Sequence, residues 1–167
     1  DLGCFGNRFI QTPSLDRMAR EGMRFTQFYV NGSVCSPSRT AFLTGRFPAR
    51  HAIHGHLATD EQNAARAMPN WLDRQVTTLP ALLKKAGYVT GHFGKWHLGS
   101  GPKAPTTSAY GIDDHRTVNG NGPSWVQEQS DKYFRARSST LIVDEAIRFI
   151  TTHKEQPFYL NLWTLVP

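Results

Sequence analysis

A nearly continuous apolar run close to the C-terminus, residues 157–166, is the feature that most restricts how this chain can fold. A strand that is apolar on both of its faces is typical of a parallel sheet covered by helices on both sides. Residues 23–30 predict a second strand of this buried type, and residues 88–93 predict a third, shorter strand. The pattern indicates an α/β fold with a mainly parallel sheet.

Helices are predicted between these strands. Residues 12–22 begin at a Thr-Pro pair and end at a glycine, while residues 77–86 are capped near Thr78 and stopped by Gly87. A third helix is predicted over residues 138–152 from its helical spacing of apolar side chains. The side chains expected to face the core from the last two helices are Leu79, Leu82, Leu83, Ile142, Ala146, Phe149 and Ile150.

The stretch around Cys35 combines a cysteine with the start of a helix. Ser36 suits the N-cap and Pro37 suits the first helical position, so a helix is predicted to begin just after Cys35 and to end at Gly45. The free N–H groups of that helix and the charge of Arg39 would face whatever Cys35 contacts, which favours an oxyanion. Spacing alone equally allows a cysteine that is simply a small buried apolar group.

A second polar cluster follows the strand predicted at residues 88–93, in the sequence Gly-Lys-Trp-His. Lys95 and His97 are two apart, so on an extended segment their side chains would point the same way into one pocket while Trp96 packs behind them. The alternative from the residues alone is a surface lysine and a histidine at the edge of the core.

Three histidines, His51, His54 and His56, lie close together in the chain. On a helix the first two could share a face and bind a metal ion, but Gly55 favours a loop. We therefore interpret the group as part of a solvated loop. Residues 61–73 are polar and are predicted to be irregular.

Charge and composition limit the possible partners. The chain has 167 residues, a formal net charge of +6 and a sequence pI near 9.6, which suit an anionic substrate. The positive charges are scattered rather than clustered, so nucleic-acid binding is not expected. No apolar run reaches the roughly 20 residues of a membrane-spanning helix, so no membrane partner is expected. With Cys4 and Cys35 as its two cysteines, the chain is not a disulfide scaffold.

The motif Cys-x-Pro-Ser-Arg beginning at Cys35, followed by Leu-Thr-Gly-Arg at residues 43–46, resembles the signature of the type I sulfatases, a branch of the alkaline-phosphatase superfamily. The Gly-Tyr pair at residues 87–88 and the Gly-Lys-Trp-His sequence at residues 94–97 resemble the second signature of that family. Two signatures in the same order imply an alkaline-phosphatase/sulfatase-like α/β fold.

The resemblance also implies a catalytic mechanism. In the family the cysteine is converted to formylglycine, an aldehyde whose hydrate is the nucleophile, and this position is Cys35. Arg39 would hold the hydrate and offset charge, Lys95 would bind a sulfate oxygen, and His97 would take the proton of the second hydroxyl. A maturation enzyme, formylglycine-generating or equivalent, would read the proline and arginine that follow Cys35.

Residues 100–130 are rich in turn-forming residues and are predicted to be loop. Asp113 and Asp114 are paired carboxylates within it, and we expect them to serve a turn rather than acid–base chemistry. The family often supplies a polar contact to sulfate a little further on, which makes Asn119 or Asn121 a candidate.

The resemblance implies calcium as the cofactor, with residue 35 as a ligand, and a sulfated small molecule or carbohydrate as the substrate. It also implies a periplasmic, secreted or lysosomal location. The other calcium ligands and the leaving-group acid of the family are not matched, so residues 1–167 are expected to be a partial catalytic domain that lacks the first strand and the C-terminal part and is inactive alone. Alternatives are a phosphate or phosphonate monoester hydrolase of the same superfamily and a truncated, non-catalytic remnant.

Overall fold

The structure of the chain is a computed structural model that describes residues 2–126 and 128–165. The chain divides into two compact units, Asp1–Val30 and Asn31–Pro167. Val166, the last residue of the strand predicted near the C-terminus, lies outside the described residues. Within the two described ranges, no helix combines the length and the apolarity needed to cross a membrane.

A three-stranded sheet forms the centre of the second unit. Its strands are β1 (Val89–Lys95), β2 (Asp114–Val118) and β3 (Phe158–Trp163), arranged in the order β2-β1-β3. The central strand β1 pairs in parallel with both neighbours. The α/β fold with a parallel sheet that the sequence predicts is therefore confirmed.

One face of the sheet is covered by helix α5 (Phe134–His153), which contacts β1 and β3. Phe93 of β1 is fully buried and packs against Phe149 of this helix, with the ring centroids 5.8 Å apart. The helix begins four residues earlier than the predicted range 138–152. Its predicted core positions are buried except Ile150, which is 40% exposed.

The opposite face carries helix α2 (Cys35–Thr44). His92 precedes Phe93 in β1, so its side chain points to this other face, where it contacts the ring of Trp163 from β3. Trp163 in turn contacts Phe42 of α2. Helices on both faces of the sheet, as predicted, bury its central strand.

Helix α4 (Leu79–Lys85) follows the predicted pattern at both ends. The hydroxyl of Thr78 caps it by accepting the N–H of its third residue at 3.3 Å, and the glycine that follows the helix has a left-handed backbone with φ 87°. The predicted inward orientation of its leucines is wrong for Leu79 and Leu82, which are 38% and 51% exposed. The buried side chain of this short helix is Pro80 instead.

Two elements form where the sequence predicts irregular structure. Strand β2 lies in the segment predicted as loop; it is short, polar and at one edge of the sheet, so it has neither the length nor the apolar faces of a buried strand. Helix α3 (Asp60–Ala65) is stabilised by a capping box in which Thr59 and Gln62 bond each other's backbone N–H groups.

The first unit contains helix α1 (Pro13–Glu21), as predicted. The Asp16 carboxylate ties its first turn to the preceding loop, accepting the Cys4 N–H at 2.7 Å and the Thr12 hydroxyl at 2.9 Å. The strand predicted over residues 23–30 is wrong: these residues are exposed and irregular, because the described part of this unit has no strand for them to pair with. Single turns of 3-10 helix are formed by Gly3–Phe5, Pro48–His51 and Thr107–Tyr110.

Candidate active site

Helix α2 begins at Cys35 itself, with Val34 at the N-cap and no side-chain cap, so the prediction that Ser36 caps this helix is wrong. Ser36 is fully buried, and its hydroxyl donates to the carbonyl of His97 at 2.7 Å and accepts the N–H of Leu57 at 3.0 Å. One serine therefore fixes the start of α2 against two other segments. The helix ends, as predicted, at a glycine with a left-handed backbone, φ 66°.

Lys95, the last residue of β1, reaches the first residue of α2. Its ammonium lies 3.2 Å from the Cys35 thiol and donates to the side-chain carbonyl of Asn121 at 2.8 Å. Lys95 is only 6% exposed, so this position is set by packing rather than by a free surface side chain. Both asparagines singled out in the sequence are exposed, and Asn121 is the one that joins the cluster, through its hydrogen bond with Lys95.

Arg39 lies one helical turn after Cys35, on the same helix. Its Nη1 donates to the carbonyl of Lys95 at 2.7 Å, and its guanidinium lies over the ring of Trp163, 4.4 Å from the centroid. Within residues 2–126 and 128–165, no carboxylate pairs with it. Burial lowers the pKa of Arg39 to about 10, partly opposed by Cys35. Over the described residues, the side chain is therefore a cation without a counter-ion of its own.

His97 has a left-handed backbone, φ 56°, so the expectation of an extended segment is wrong at this residue. Its Nε2 lies 2.9 Å from the carbonyl of Leu57, and a carbonyl only accepts, so the neutral ring carries its hydrogen on Nε2. Burial lowers the pKa of His97, the Leu57 carbonyl raises it, and the cations Lys95 and Arg39 lower it further, as does His56. Nδ1 is buried without a hydrogen-bond partner among the described residues, and it is the basic nitrogen.

The three histidines that lie close together in the sequence, His51, His54 and His56, contact different parts of the structure. A ring nitrogen of His54 lies 3.0 Å from the carbonyl of Arg66, while the ring of His56 lies 6.4 Å from that of His97. His51 ends a 3-10 turn. In the described part of the chain, no group of three or more His, Cys, Asp or Glu side chains is arranged to hold a metal ion.

The paired aspartates bind neighbouring structure rather than the site. Asp113 accepts the N–H of Thr90 at 3.1 Å and its hydroxyl at 2.9 Å, and it also pairs with Lys84. Burial raises the pKa of Asp113, but these hydrogen bonds outweigh burial and lower it. Asp114 starts β2 and pairs with Arg148 of α5 at 2.9 Å.

The side chains around Cys35 do not form a calcium shell by themselves. Calcium takes six to eight oxygen ligands, mainly carboxylates and carbonyls. The groups that the structure describes here are the ammonium of Lys95, the guanidinium of Arg39 and the amide of Asn121, of which only the amide offers an oxygen. Two cations beside Cys35 suit an anionic ligand instead, together with the N-terminus of a ten-residue helix.

Sequence reasoning missed two contributors to this site. The local sequence predicts Ser36 as a helix cap. Its actual role is to join segments through hydrogen bonds with Leu57 and His97, which lie 21 and 61 residues further along the chain. Trp163 carried no motif, because an aromatic residue in an apolar strand normally indicates only core. The contact between Trp163 and Arg39 depends on the pairing of β3 beside β1.

The family model described as Sulfatase matches residues 1–167. Steryl-sulfatase of Rattus norvegicus is 48% identical over 101 residues, which are 59% of this chain and 17% of that relative. A structure from work on the metabolism of multiple glycosaminoglycans by Bacteroides thetaiotaomicron shares the fold, with a TM-score of 0.79 and 22% identity over 99% of this chain and 48% of that one.

A further structure was solved in complex with its substrate, D-glucosamine-2-N,6-O-disulfate. It has a TM-score of 0.72 and 30% identity to this chain, and the match covers 99% of this chain and 31% of that one. The chain thus spans less than half the length of each of these three proteins.

Proposed function

Because the chain belongs to the sulfatase family, we propose that the enzyme of which it forms part hydrolyses sulfate esters. The observation that carries the proposal is the contact of the Lys95 ammonium with Cys35 at 3.2 Å, at the N-terminus of α2. A sulfate group beside residue 35 would accept a charge-assisted hydrogen bond from Lys95 and would lie near the uncompensated charge of Arg39. Both effects favour a tetrahedral anion at this position.

The proposed nucleophile is residue 35 after a maturation enzyme has converted its thiol-bearing carbon to an aldehyde. The hydrate of that aldehyde carries two hydroxyls on one carbon. One oxygen attacks sulfur, and the bond from sulfur to the alcohol oxygen breaks. Removal of the proton from the other hydroxyl then re-forms the aldehyde. The bond between the hydrate carbon and the sulfated oxygen breaks in this step, so sulfate leaves without water attacking sulfur.

The proposed roles of the neighbouring side chains come from the family resemblance, and the contacts of these side chains support them. Lys95 binds a sulfate oxygen, and Arg39 holds the hydrate and offsets negative charge. His97 takes the proton of the second hydroxyl on Nδ1, since its Nε2 is engaged by the carbonyl of Leu57. The lowered pKa of His97 supports this role, because a general base must be neutral at the working pH.

The substrate that we propose is a sulfated small molecule or carbohydrate, and the protein partner is the maturation enzyme that acts on Cys35. Family membership supports calcium as the cofactor, to which the described residues would contribute only residue 35. It also supports a periplasmic, secreted or lysosomal location.

The test compares His97→Ala with Lys95→Ala in the complete enzyme, under excess aryl sulfate. Loss of the general base is expected to slow release of sulfate by about 100- to 10,000-fold, so the His97 variant should accumulate as a covalent sulfate ester. Loss of Lys95 weakens the first attack, and no ester should accumulate. Intact-mass spectrometry distinguishes the two, because only the His97 variant should gain one sulfate.

Two controls complete the design. Peptide mass spectrometry should find an aldehyde oxygen in place of sulfur at Cys35 and an unchanged thiol at Cys4, which lacks the proline two residues on. A matched aryl phosphate should turn over more slowly than the aryl sulfate. A fully active enzyme with an intact Cys35 thiol would refute the mechanism, and faster phosphate turnover would reassign the substrate.

A further inference from the structure

Trp163 lies against the charged end of Arg39. The guanidinium carbon of Arg39 is 4.4 Å from the centroid of the indole, within the range of a cation–π contact. The same guanidinium donates to the carbonyl of Lys95 through Nη1, at 2.7 Å. Arg39 is therefore held from two sides, by the backbone of β1 and by a side chain of β3.

Two aromatic side chains contact the indole of Trp163, and a glycine of β1 allows its backbone to approach closely. His92 meets it edge-on at 4.9 Å with an interplanar angle of 86°, and Phe42 meets it at 5.7 Å and 72°. At Gly94, which pairs with Trp163, an added Cβ would lie 2.0 Å from the Trp163 carbonyl, so a glycine is required for β3 to approach this closely. The ring is thus contacted from the neighbouring strand β1, through His92, and from α2, through Phe42.

The hydrogen bond to Lys95 cannot orient Arg39 alone. A single hydrogen bond fixes one end of the planar guanidinium but permits rotation about that end, whereas a flat aromatic face also fixes the plane. The Nε of Arg39 is buried and has no hydrogen-bond partner among the described residues, so no second polar contact supplies the missing restraint.

We propose that Trp163 is a positioning residue that fixes the guanidinium plane of Arg39 toward residue 35. This inference rests on the proposed function in one respect, namely that Arg39 holds the hydrate at residue 35 and offsets negative charge. Partial burial lowers the pKa of Arg39 to about 10, and a desolvated guanidinium gains more from an aromatic face than an exposed one does. Substrate contacts are made by Arg39, while Trp163 acts through it.

The test uses the complete protein without substrate and does not require catalysis. The Nε–H resonance of Arg39 is assigned by comparison with Arg39→Lys in a nitrogen-15 NMR spectrum. In the wild type the indole ring current should shift this resonance upfield, and packing should protect the Nε–H from exchange with water. Trp163→Leu should abolish the upfield shift and speed this exchange by about 2- to 30-fold, the loss expected for one cation–π contact.

Trp163→Phe supplies the rescue and Trp125→Leu the matched control. A phenyl ring keeps an aromatic face, so the Phe variant should retain part of the upfield shift. Trp125 lies under a different arginine, Arg116, at 4.6 Å, and its replacement should leave the Arg39 resonance in place. If Trp163→Leu does not fold, the Phe variant decides.

Three results would overturn the assignment. The upfield shift of the Arg39 resonance could be absent from a folded Trp163→Phe variant, or it could be unchanged in Trp163→Leu. It could also be lost to the same extent in Trp125→Leu. These outcomes are independent of the proposed reaction, since no substrate is present. If the NMR result holds and the complete enzyme does not cleave sulfate esters, the sulfatase proposal fails while the orientation of Arg39 by Trp163 stands.

Discussion

Two arginines of the second unit rest on tryptophan rings, and they differ in what else surrounds the charge. Arg39 lies 4.4 Å from the ring centroid of Trp163, and Arg116 lies 4.6 Å from that of Trp125. Arg116 also pairs with two carboxylates, Glu128 and Glu145. Arg39 pairs with none among the described residues, and its one hydrogen bond goes to a neutral carbonyl.

The difference appears in the direction of the two pKa values. Burial lowers the pKa of Arg116, but the hydrogen bonds that Arg116 donates to Glu128 and Glu145 outweigh burial and raise it. Burial lowers the pKa of Arg39 to about 10, with little compensation. Arg116 is thus a structural tie between β2 and α5, whereas Arg39 has no carboxylate partner among the described residues, as the proposed anion site requires. An aromatic face alone does not show which arginine serves a site.

The largest expected effect is on the rate of sulfate ester hydrolysis in the complete enzyme. Arg39→Met keeps the aliphatic stem and removes the charge, so kcat/KM should fall by about 100- to 1,000-fold, as for loss of one preorganised donor. Arg116→Met, the matched variant, should leave kcat/KM within about threefold, because its charge is already neutralised. Equal losses in both variants, measured with an aryl sulfate, would erase the distinction between the two pairs.

The second expected effect concerns His92, the fully buried neighbour of Trp163. Burial, aided by the charges of Arg39 and His115, lowers the pKa of His92 from 6.5 to about 3. The unfolded chain therefore binds a proton at a higher pH than the folded chain does. The stability that this neutral histidine provides is complete above pH 6.5 and is lost as the pH falls toward 3, by roughly 2–3 kcal/mol at pH 4.5.

Urea unfolding between pH 6.5 and 4.5 tests this window. His92→Phe keeps an aromatic ring against the indole of Trp163 and cannot titrate, so its stability should vary less over the window than that of the wild type. Glu145→Gln is the control from the other cluster. Burial raises the pKa of Glu145, but hydrogen bonds from Arg148 and Arg116 outweigh burial and lower it, so Glu145 stays ionised over most of this window and its variant should keep most of the wild-type loss. A wild-type stability that is flat over this window would contradict a buried neutral His92.

The sequence predicts the parts of this molecule that depend on local pattern. The parallel sheet follows from apolar strands, α2 follows from its position between Cys35 and a terminal glycine, and Lys95 follows from the Gly-Lys-Trp-His motif. The sequence also contains a local signal for helix α3, the Thr59–Gln62 capping box. These features are readable because each is decided within a few residues of the chain.

Other parts could not be predicted, because they depend on contacts between distant segments. Residues 23–30 have the composition of a buried strand, but a strand forms only beside a partner. The hydroxyl of Ser36 has a local alternative, capping, and the tertiary contacts with Leu57 and His97 prevail over it. The left-handed backbone of His97 is likewise outside any pattern of polar and apolar residues.

The smallest expected effect is on stability and concerns Arg116. The side chains of Arg116 and Glu145 are 37% and 18% exposed, so solvent screens their ion pair. Arg116→Met should therefore lower the free energy of unfolding by about 1 kcal/mol at neutral pH. Arg39→Met should cost less than this or stabilise the fold, because it removes a partly buried charge that no carboxylate among the described residues balances. Urea titrations of both variants give the comparison directly. If Arg39→Met proves the more destabilising of the two, then Arg39 is a structural residue like Arg116, and its charge does not serve to bind an anion beside residue 35.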